Sequence, residues 1–451
     1  MNPTLTSSSV KVTPDKVHET IAKRMLADGF DFVLDLDKSE GVYIYDSRRG
    51  RRLLDFFSFF ATNPVGMNHP GMKTPEFTQK LLRAALHNPS NSDVYTVEMA
   101  EFVETFGAHA MPSHLPHLFL VAGGTLGVEN ALKAAFDWKV RKNFARGYRE
   151  ERGRKVLHFD QAFHGRSGYT LSLTNTTDPR KTAYFPKFNW PRVLNPKIRF
   201  PLHEDNLSDV KAREALSIAQ MKKAFEQNKD DIAAIIIEPI QGEGGDNHFR
   251  KEFFQELRRI ADDHEAMLVF DEVQAGLGLT GKMWSHEHYD VKPDMVAFGK
   301  KTQVCGFISS TRIDEIEENV FHVSSRLNST WGGTLVDMVR SARYLEIMAE
   351  EKLLENAAAR GAELLTALEA MQREFPDHVS NARGKGLMCA FDLKDGALRD
   401  RVIARAYEEG LIAIGSGPSS IRFRPPLVIS KEELGEGLEK LRSGIRKSIA
   451  G

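Results

Sequence analysis

Cysteine is nearly absent from this chain: Cys305 and Cys389 are the only two in 451 residues. Two isolated thiols build neither a disulfide framework nor a CxxC metal site, so a reducing compartment is the default reading. Long hydrophobic runs are missing too. The most apolar stretch, 232–237, is far shorter than the ~20 residues that cross a bilayer. The opening MNPTLTSSSVKVTP has no apolar core of signal-peptide length. These absences predict a soluble, cytoplasmic protein with no membrane partner. Neither sign of charge is in excess, with 61 Lys plus Arg against 62 Asp plus Glu and a formal net charge of −1. That removes the argument for general nucleic-acid affinity, though it leaves room for a locally basic pocket.

What is present is an ordinary globular composition, 41% hydrophobic and 27% charged. The length exceeds that at which single cores stop growing, which predicts two domains. Residues 14–27 carry apolar positions at helical spacing. VLDLDKSEGVYIYDSRRGRRLLDFF then reads as a β-meander, and FSFFATNPVGMNHP is too rich in Asn, Pro and Gly for a regular element. Strand-like runs at 117–122, 155–159, 232–237, 267–271 and 295–298 alternate with helical patterns, the signature of an α/β domain with a mostly parallel sheet. From 338 to 374 the pattern is nearly continuous helix, with Leu353, Ala357, Leu364, Leu368 and Met371 on one side. The last part reads as a small α+β domain.

The centre of the chemistry is 267–306. Two buried-strand patterns, MLVFD and PDMVAFG, each end in a charged residue: Asp271 after the first, Lys300 and Lys301 after the second. Roughly 30 residues separate them, the length of a strand–crossover–strand unit. In an open parallel sheet, ligands bind beyond the carboxyl ends of the strands, so an acid and an amine reach one rim. A pyridine aldehyde suits that pairing, because its ring nitrogen needs a carboxylate and its carbonyl a lysine. Asp271 as a helix cap is the competing assignment. Strand alternation sends neighbouring side chains to opposite faces, so only one lysine would be active, and periodicity does not choose which. The Gly123-Gly124-Thr125 turn opens a helix and could cradle a phosphate. A literal GxGxxG at Gly276–Gly281 sits too far past its strand for a dinucleotide site. The HEH at 286–288 lacks i, i+4 ligand spacing, so it reads as a solvated turn and no metal is expected.

Taken together, GG-T at 123–125, FHGR at 163–166, EPIQGEGG at 238–245, DEVQ at 271–274, FGKK at 298–301 and NSTWGG at 328–333 resemble the class III (ω-) aminotransferases over essentially the whole chain. Within that family PSNSDVYTVEMAEFVETF, NALKAAFDWK and FHGRSGYTLSLTNT resemble the members acting on the terminal amine of lysine. The resemblance implies fold type I of the pyridoxal-phosphate enzymes, with an N-terminal segment (1–75), a large cofactor-binding domain (76–335) and a C-terminal small domain (336–451). It implies pyridoxal 5′-phosphate as cofactor and L-lysine, 2-oxoglutarate and L-glutamate as substrates or products. It also implies a homodimer with shared active sites. Ornithine, 4-aminobutyrate or a diamine are the alternative substrates, and an NAD-dependent oxidoreductase is the alternative class.

Carried onto this sequence, the family pattern makes Lys300 the cofactor-bonding lysine and gives Asp271 the pyridinium nitrogen. Phe163 and Val273 would flank the ring, and Gln274 would reach its hydroxyl. Gly124 and Thr125 would hold the phosphate, with Thr330 reaching in from the neighbouring subunit. Arg166 would take the distal carboxylate of either substrate and Arg422 the proximal carboxylate of 2-oxoglutarate. Glu243 would be a movable counter-ion, on Arg422 when lysine is bound and away for the keto acid. Asn328 would help to orient the substrate. Arg424 lies two residues from Arg422 on the same face and competes for its role.

Overall fold

A computed structural model describes residues 10–450. A hairpin comes first, with β1 (Tyr43–Asp46) and β2 (Arg51–Asp55) paired antiparallel across the SRRG turn. The central sheet follows, built from β3 (His117–Val121), β4 (Lys155–Phe159), β5 (Arg192–Val193), β6 (Ile232–Ile237), β7 (Met267–Asp271), β8 (Met295–Phe298) and β9 (Cys305–Ser309). Its spatial order is β3-β9-β8-β7-β6-β4-β5. Strands β4 to β8 run parallel, while β9 is antiparallel to both its neighbours, which leaves β3 aligned with the others. This is the α/β, mostly parallel architecture that the alternating pattern predicts.

Every residue of β6, β7 and β8 is buried, as a sheet covered on both faces requires. Alternation along β7 divides the core. Met267 and Val269 pack with Val128, Ala131, Ala135 and Trp138 of the helix Gly124–Ala145. Leu268 and Phe270 pack on the other side with Phe253, Phe254 and Leu257 of the helix Lys251–Asp263. Burying each of these large side chains contributes about 1.5–3 kcal/mol, and together they fix the height at which every strand ends.

A second sheet, of β10 (Val379–Lys385), β11 (Met388–Leu393), β13 (Ile414–Ser416) and β14 (Ser420–Phe423), is antiparallel throughout. Between its strands, β12 (Leu411–Ile412) leaves to pair parallel with β2, so the first hairpin is knit into the last part of the chain.

Three expectations need correction. Residues 14–27 form only a single turn and a helix at Val17–Ala22, because no residue there is buried to extend it. The meander reduces to the hairpin and isolated bridges, Leu34 with Asp46, Glu40 with Tyr43 and Gly41 with Met67. The helix at 338–374 is two helices, Leu335–Glu350 and Leu353–Glu374, broken where Lys352 takes a left-handed φ of 52°. Both halves keep an apolar face in the core, which is why the periodicity runs through the break.

Candidate active site

The ends of β3, β4, β6, β7 and β8, together with β14, deliver side chains to one cavity of about 580 Å³. Past β3, the N-cap of the helix Gly124–Ala145 is Gly123, which supplies no side-chain capping bond, and the first turn holds no acid. Its free N–H groups and positive helix end lie beside Gly124 and Thr125 on the cavity wall, an arrangement suited to a phosphate. A Cβ on Gly124 would stand 2.9 Å from Val273 Cγ1, so glycine lets the helix start close against the loop after β7.

Asp271 closes β7 and caps no helix. One carboxylate oxygen accepts from the Val273 N–H at 3.1 Å, and the other lies 2.7 Å from Nδ1 of the buried His164. Glu238, just past β6, accepts from the N–H groups of Phe163 (2.8 Å) and Gly242 (3.0 Å). Burial, and then the charge of Asp271, push its carboxyl well above the usual range.

Strand β8 stops at Phe298, and the two lysines lie on a single 3-10 turn, Lys300–Thr302. Their facing is therefore set by the turn and not by strand alternation. Lys300 has a left-handed φ of 55° and opens into the cavity. Lys301 points away and donates to the carbonyls of Gln274 (2.7 Å) and Ala61 (3.5 Å). Burial, and next the charge of Arg422, lower the Lys300 ammonium to about 8. Burial and the charge of Lys300 drive Lys301 well down.

Phe163 and Val273 line the cavity, and so does Gln274, whose amide oxygen accepts from Arg422 Nη1 (3.3 Å) and Arg424 Nη2 (3.1 Å). Arg422, on β14, is 5% exposed and its Nε is buried without a partner. No carboxylate pairs with it among the described residues. Burial and then the charge of Arg424 lower it to about 10, so it remains a cation at neutral pH. Arg424 is fully buried and pairs with Asp246 at 2.6 Å. That distinguishes two residues the sequence could not separate. Glu243 lies on the same cavity but is bound elsewhere, by Thr176 Oγ1 (2.8 Å) and Lys181 Nζ (2.5 Å). Arg166 is exposed at the rim, its guanidinium 5.8 Å from the Phe163 ring centre. Asn328 and Thr330 are exposed and do not line the cavity in this chain.

Besides Gly165, four lining residues had no assigned role in the sequence reading: His164, Glu238, Phe60 and Lys181. The first two sat inside quoted motifs, FHGR and EPIQGEGG. Phe60 belongs to the Asn/Pro/Gly-rich loop, where Ser58–Ala61 all take left-handed φ angles. Asp55 stabilises that turn by accepting from the N–H groups of Phe57 and Ser58. Lys181 carried no signal at all.

Other sequence features have structural roles. The Gly276–Gly281 loop packs on Trp284 and Ala358, and no helix opens at its end. The HEH turn is not solvated as expected, since His286 is buried against Glu272 at 2.7 Å. No metal-holding group of His, Cys, Asp or Glu occurs among the described residues, nor any helix long and apolar enough to cross a membrane. A larger, open cleft of about 900 Å³ lies between Phe136, Trp190 and Arg326, and its acids Asp137, Glu151 and Asp231 are each paired with a neighbouring cation.

Comparison with known proteins gives a consistent result. The family model described as Aminotransferase class-III matches residues 26–445. A protein named L-lysine-epsilon aminotransferase from Mycobacterium tuberculosis is 52% identical over 434 residues, 96% of each chain. One of the same name from Streptomyces clavuligerus is 48% identical over 432 residues, 95% of this chain and 94% of that one. A solved structure of lysine aminotransferase from M. tuberculosis in the internal aldimine form superposes with a TM-score of 0.95 at 51% identity, covering 97% of this chain and 100% of that one.

Proposed function

We propose a substrate pair on the premise that the chain belongs to the class-III aminotransferases: the ε-amino group of L-lysine passes to 2-oxoglutarate, giving 2-aminoadipate 6-semialdehyde, which cyclises, and L-glutamate. The cofactor of this enzyme is pyridoxal 5′-phosphate. The cavity residues fit it, with an uncapped helix start for the phosphate, a buried carboxylate for the ring nitrogen, apolar walls at Phe163 and Val273 and an amine at Lys300. When bound, it supplies an aldehyde that carries the amino group between substrates and a ring that takes up electron density.

Lys300 would hold the cofactor through its amine, and that amine, when free, would take the proton from the carbon that bears the substrate nitrogen. In the cofactor-free cavity burial lowers its ammonium to about 8, towards the range in which an amine can serve as a base. Asp271 would hold the proton of the ring nitrogen, with His164 on one carboxylate oxygen to keep it aimed. Gln274, whose oxygen faces the arginines, would donate to the ring hydroxyl. Arg422 receives the proximal carboxylate of 2-oxoglutarate or glutamate, and Arg166 at the rim takes the distal one of either substrate. With lysine bound, Arg422 faces only a methylene chain, an uncompensated buried cation, and Glu243 turns to pair with it. Thr330 and Asn328, exposed here, are suited to complete the site across a two-fold in a homodimer.

The observation that carries this reading is Arg422, a buried guanidinium with no carboxylate of its own, across one cavity from a carboxylate bound elsewhere. The test supplies lysine and 2-oxoglutarate and traps the aldehyde with 2-aminobenzaldehyde. Faster turnover of ornithine, 4-aminobutyrate or a diamine than of lysine would replace the donor in this reading.

A further inference from the structure

The 176–181 segment bears on which substrate the cavity is ready to receive. Two donors from it converge on a single oxygen of Glu243: the Thr176 hydroxyl at 2.8 Å and the Lys181 ammonium at 2.5 Å. The segment is itself braced, with the Asp178 carboxylate accepting from the Arg180 N–H at the turn Pro179–Lys181. Both partners are sheltered, the side chains of Lys181 and Glu243 being 25% and 19% exposed. The backbone at Glu243 is pinned, because its carbonyl accepts from the Gly417 N–H at 2.9 Å and the preceding Gly242 N–H donates to Glu238. A carboxylate on a pinned backbone moves by side-chain rotation alone. It therefore has two cations to choose between, and here it sits on Lys181 while Arg422 has no anion. Leaving Arg422 unpaired is costly, so the Lys181–Thr176 cradle must offset much of that cost.

We propose that Lys181 is the resting partner of Glu243, a positioning residue that holds this carboxylate off Arg422 and so keeps Arg422 open for a dicarboxylic substrate. The inference rests on the reading of Arg422 as a carboxylate receptor. It adds a determinant of substrate balance: the strength of the latch sets how readily the site accepts the keto acid relative to lysine. Without it, Glu243 would default to Arg422, and 2-oxoglutarate would have to expel it.

The test uses the cofactor-loaded enzyme and glutarate, an unreactive five-carbon dicarboxylate, with affinity read by calorimetry. Lys181→Met should weaken glutarate about fivefold, as expected for an ion pair of this exposure, and Lys181→Arg should restore it. Lys181→Met should lower the KM of the lysine half-reaction, because Glu243 no longer has to leave Lys181 to pair with Arg422, and Lys181→Arg should return it to the parent value. In a Glu243→Ala background, Lys181→Met should have no further effect on glutarate, because the latch has nothing left to hold. If Lys181→Met still weakens glutarate there, Lys181 binds the dicarboxylate directly and the latch is wrong. Unchanged glutarate affinity in the single variant, or equal losses for glutarate and lysine, would also overturn it. Should the parent enzyme prefer another ω-amine to lysine, the substrate assignment falls, yet the glutarate measurements still decide the latch.

Discussion

Two pairs of like residues lie within a few ångströms of the same cavity, and in each pair the protein treats its members differently. Arg424 has Asp246 at 2.6 Å with both side chains fully buried, whereas Arg422, two residues earlier on β14, has a neutral amide and an orphaned Nε. Lys301 spends its amine on two backbone carbonyls, whereas Lys300 opens into the cavity. A buried charge with its partner built in holds the fold together. A buried charge left without one is suited to receive a ligand group of opposite charge.

The lysine pair gives the largest expected contrast. Lys300→Ala should reduce transamination by about 10⁴-fold, the upper range for removing a positioned acid–base group. It should also abolish borohydride-stabilised attachment of the cofactor, read by mass spectrometry. Lys301→Met should keep attachment at position 300 while costing about 1–3 kcal/mol of stability for the carbonyls left unpaired. Attachment at Lys301 in the parent enzyme would invert the comparison.

The arginine pair separates stability from binding. Arg424→Met strands Asp246 as an unpaired buried acid and should cost about 3–5 kcal/mol in denaturant unfolding. Arg422→Met should leave stability unchanged or raised, because it removes a desolvated cation that has no partner. Its cost should appear in glutamate affinity, about 10–100-fold, through the lost charge-assisted bonds. If both variants unfold alike, the distinction between receptor and brace fails.

What the sequence disclosed follows the same division. Buried strands such as β6 and β7 are legible because sheets covered on both faces leave unbroken apolar runs. Charged residues at strand ends are legible because topology fixes where strand ends go. The choice between Lys300 and Lys301 was not, because the pair lies on a 3-10 turn to which no alternation applies. Nor was the choice between Arg422 and Arg424, since their difference is Asp246, remote in sequence and brought close only by folding. Lys181 sits in a polar stretch indistinguishable from surface, and its role depends wholly on contact with Glu243 across the cavity. The resemblance to a family, not the periodicity, singled out Lys300 and Arg422 beforehand.

A smaller effect tests the burial of Lys300 itself. Its ammonium is lowered from 10.5 to about 8, chiefly by burial. Between those pH values the unfolded chain binds a proton that the folded chain has shed, so the cofactor-free protein gains stability as pH rises through that window. Replacing Lys300 with Met should flatten that part of the stability curve. Capture of a simple aromatic aldehyde by the cofactor-free protein, trapped with borohydride, should accelerate up to about pH 8 and then level off. A rate still climbing towards pH 10.5 would mean that Lys300 behaves as a solvated amine.

The two glycine turns carry the contrast down to single methyl groups. Gly281 has a φ of 82° and a Cβ there would fall 2.8 Å from Ala358 Cβ, so Gly281→Ala meets both a left-handed backbone and a packed helix. It should cost about 1–3 kcal/mol of stability and leave cofactor affinity untouched, the behaviour of a packing loop. At Gly124 the backbone is helical, so a methyl carries no conformational penalty, and the three atoms nearest to it all belong to Val273 on the cavity wall. With Cγ1 only 2.9 Å away the valine must shift, and it is part of the cavity wall. Gly124→Ala should therefore change stability by less than about 1 kcal/mol while weakening pyridoxal 5′-phosphate binding, measured by fluorescence quenching on titration. Were Gly281→Ala the variant that lost the cofactor, the glycine-rich loop would be part of the site after all, and the boundary between receptor and brace would have been drawn in the wrong place.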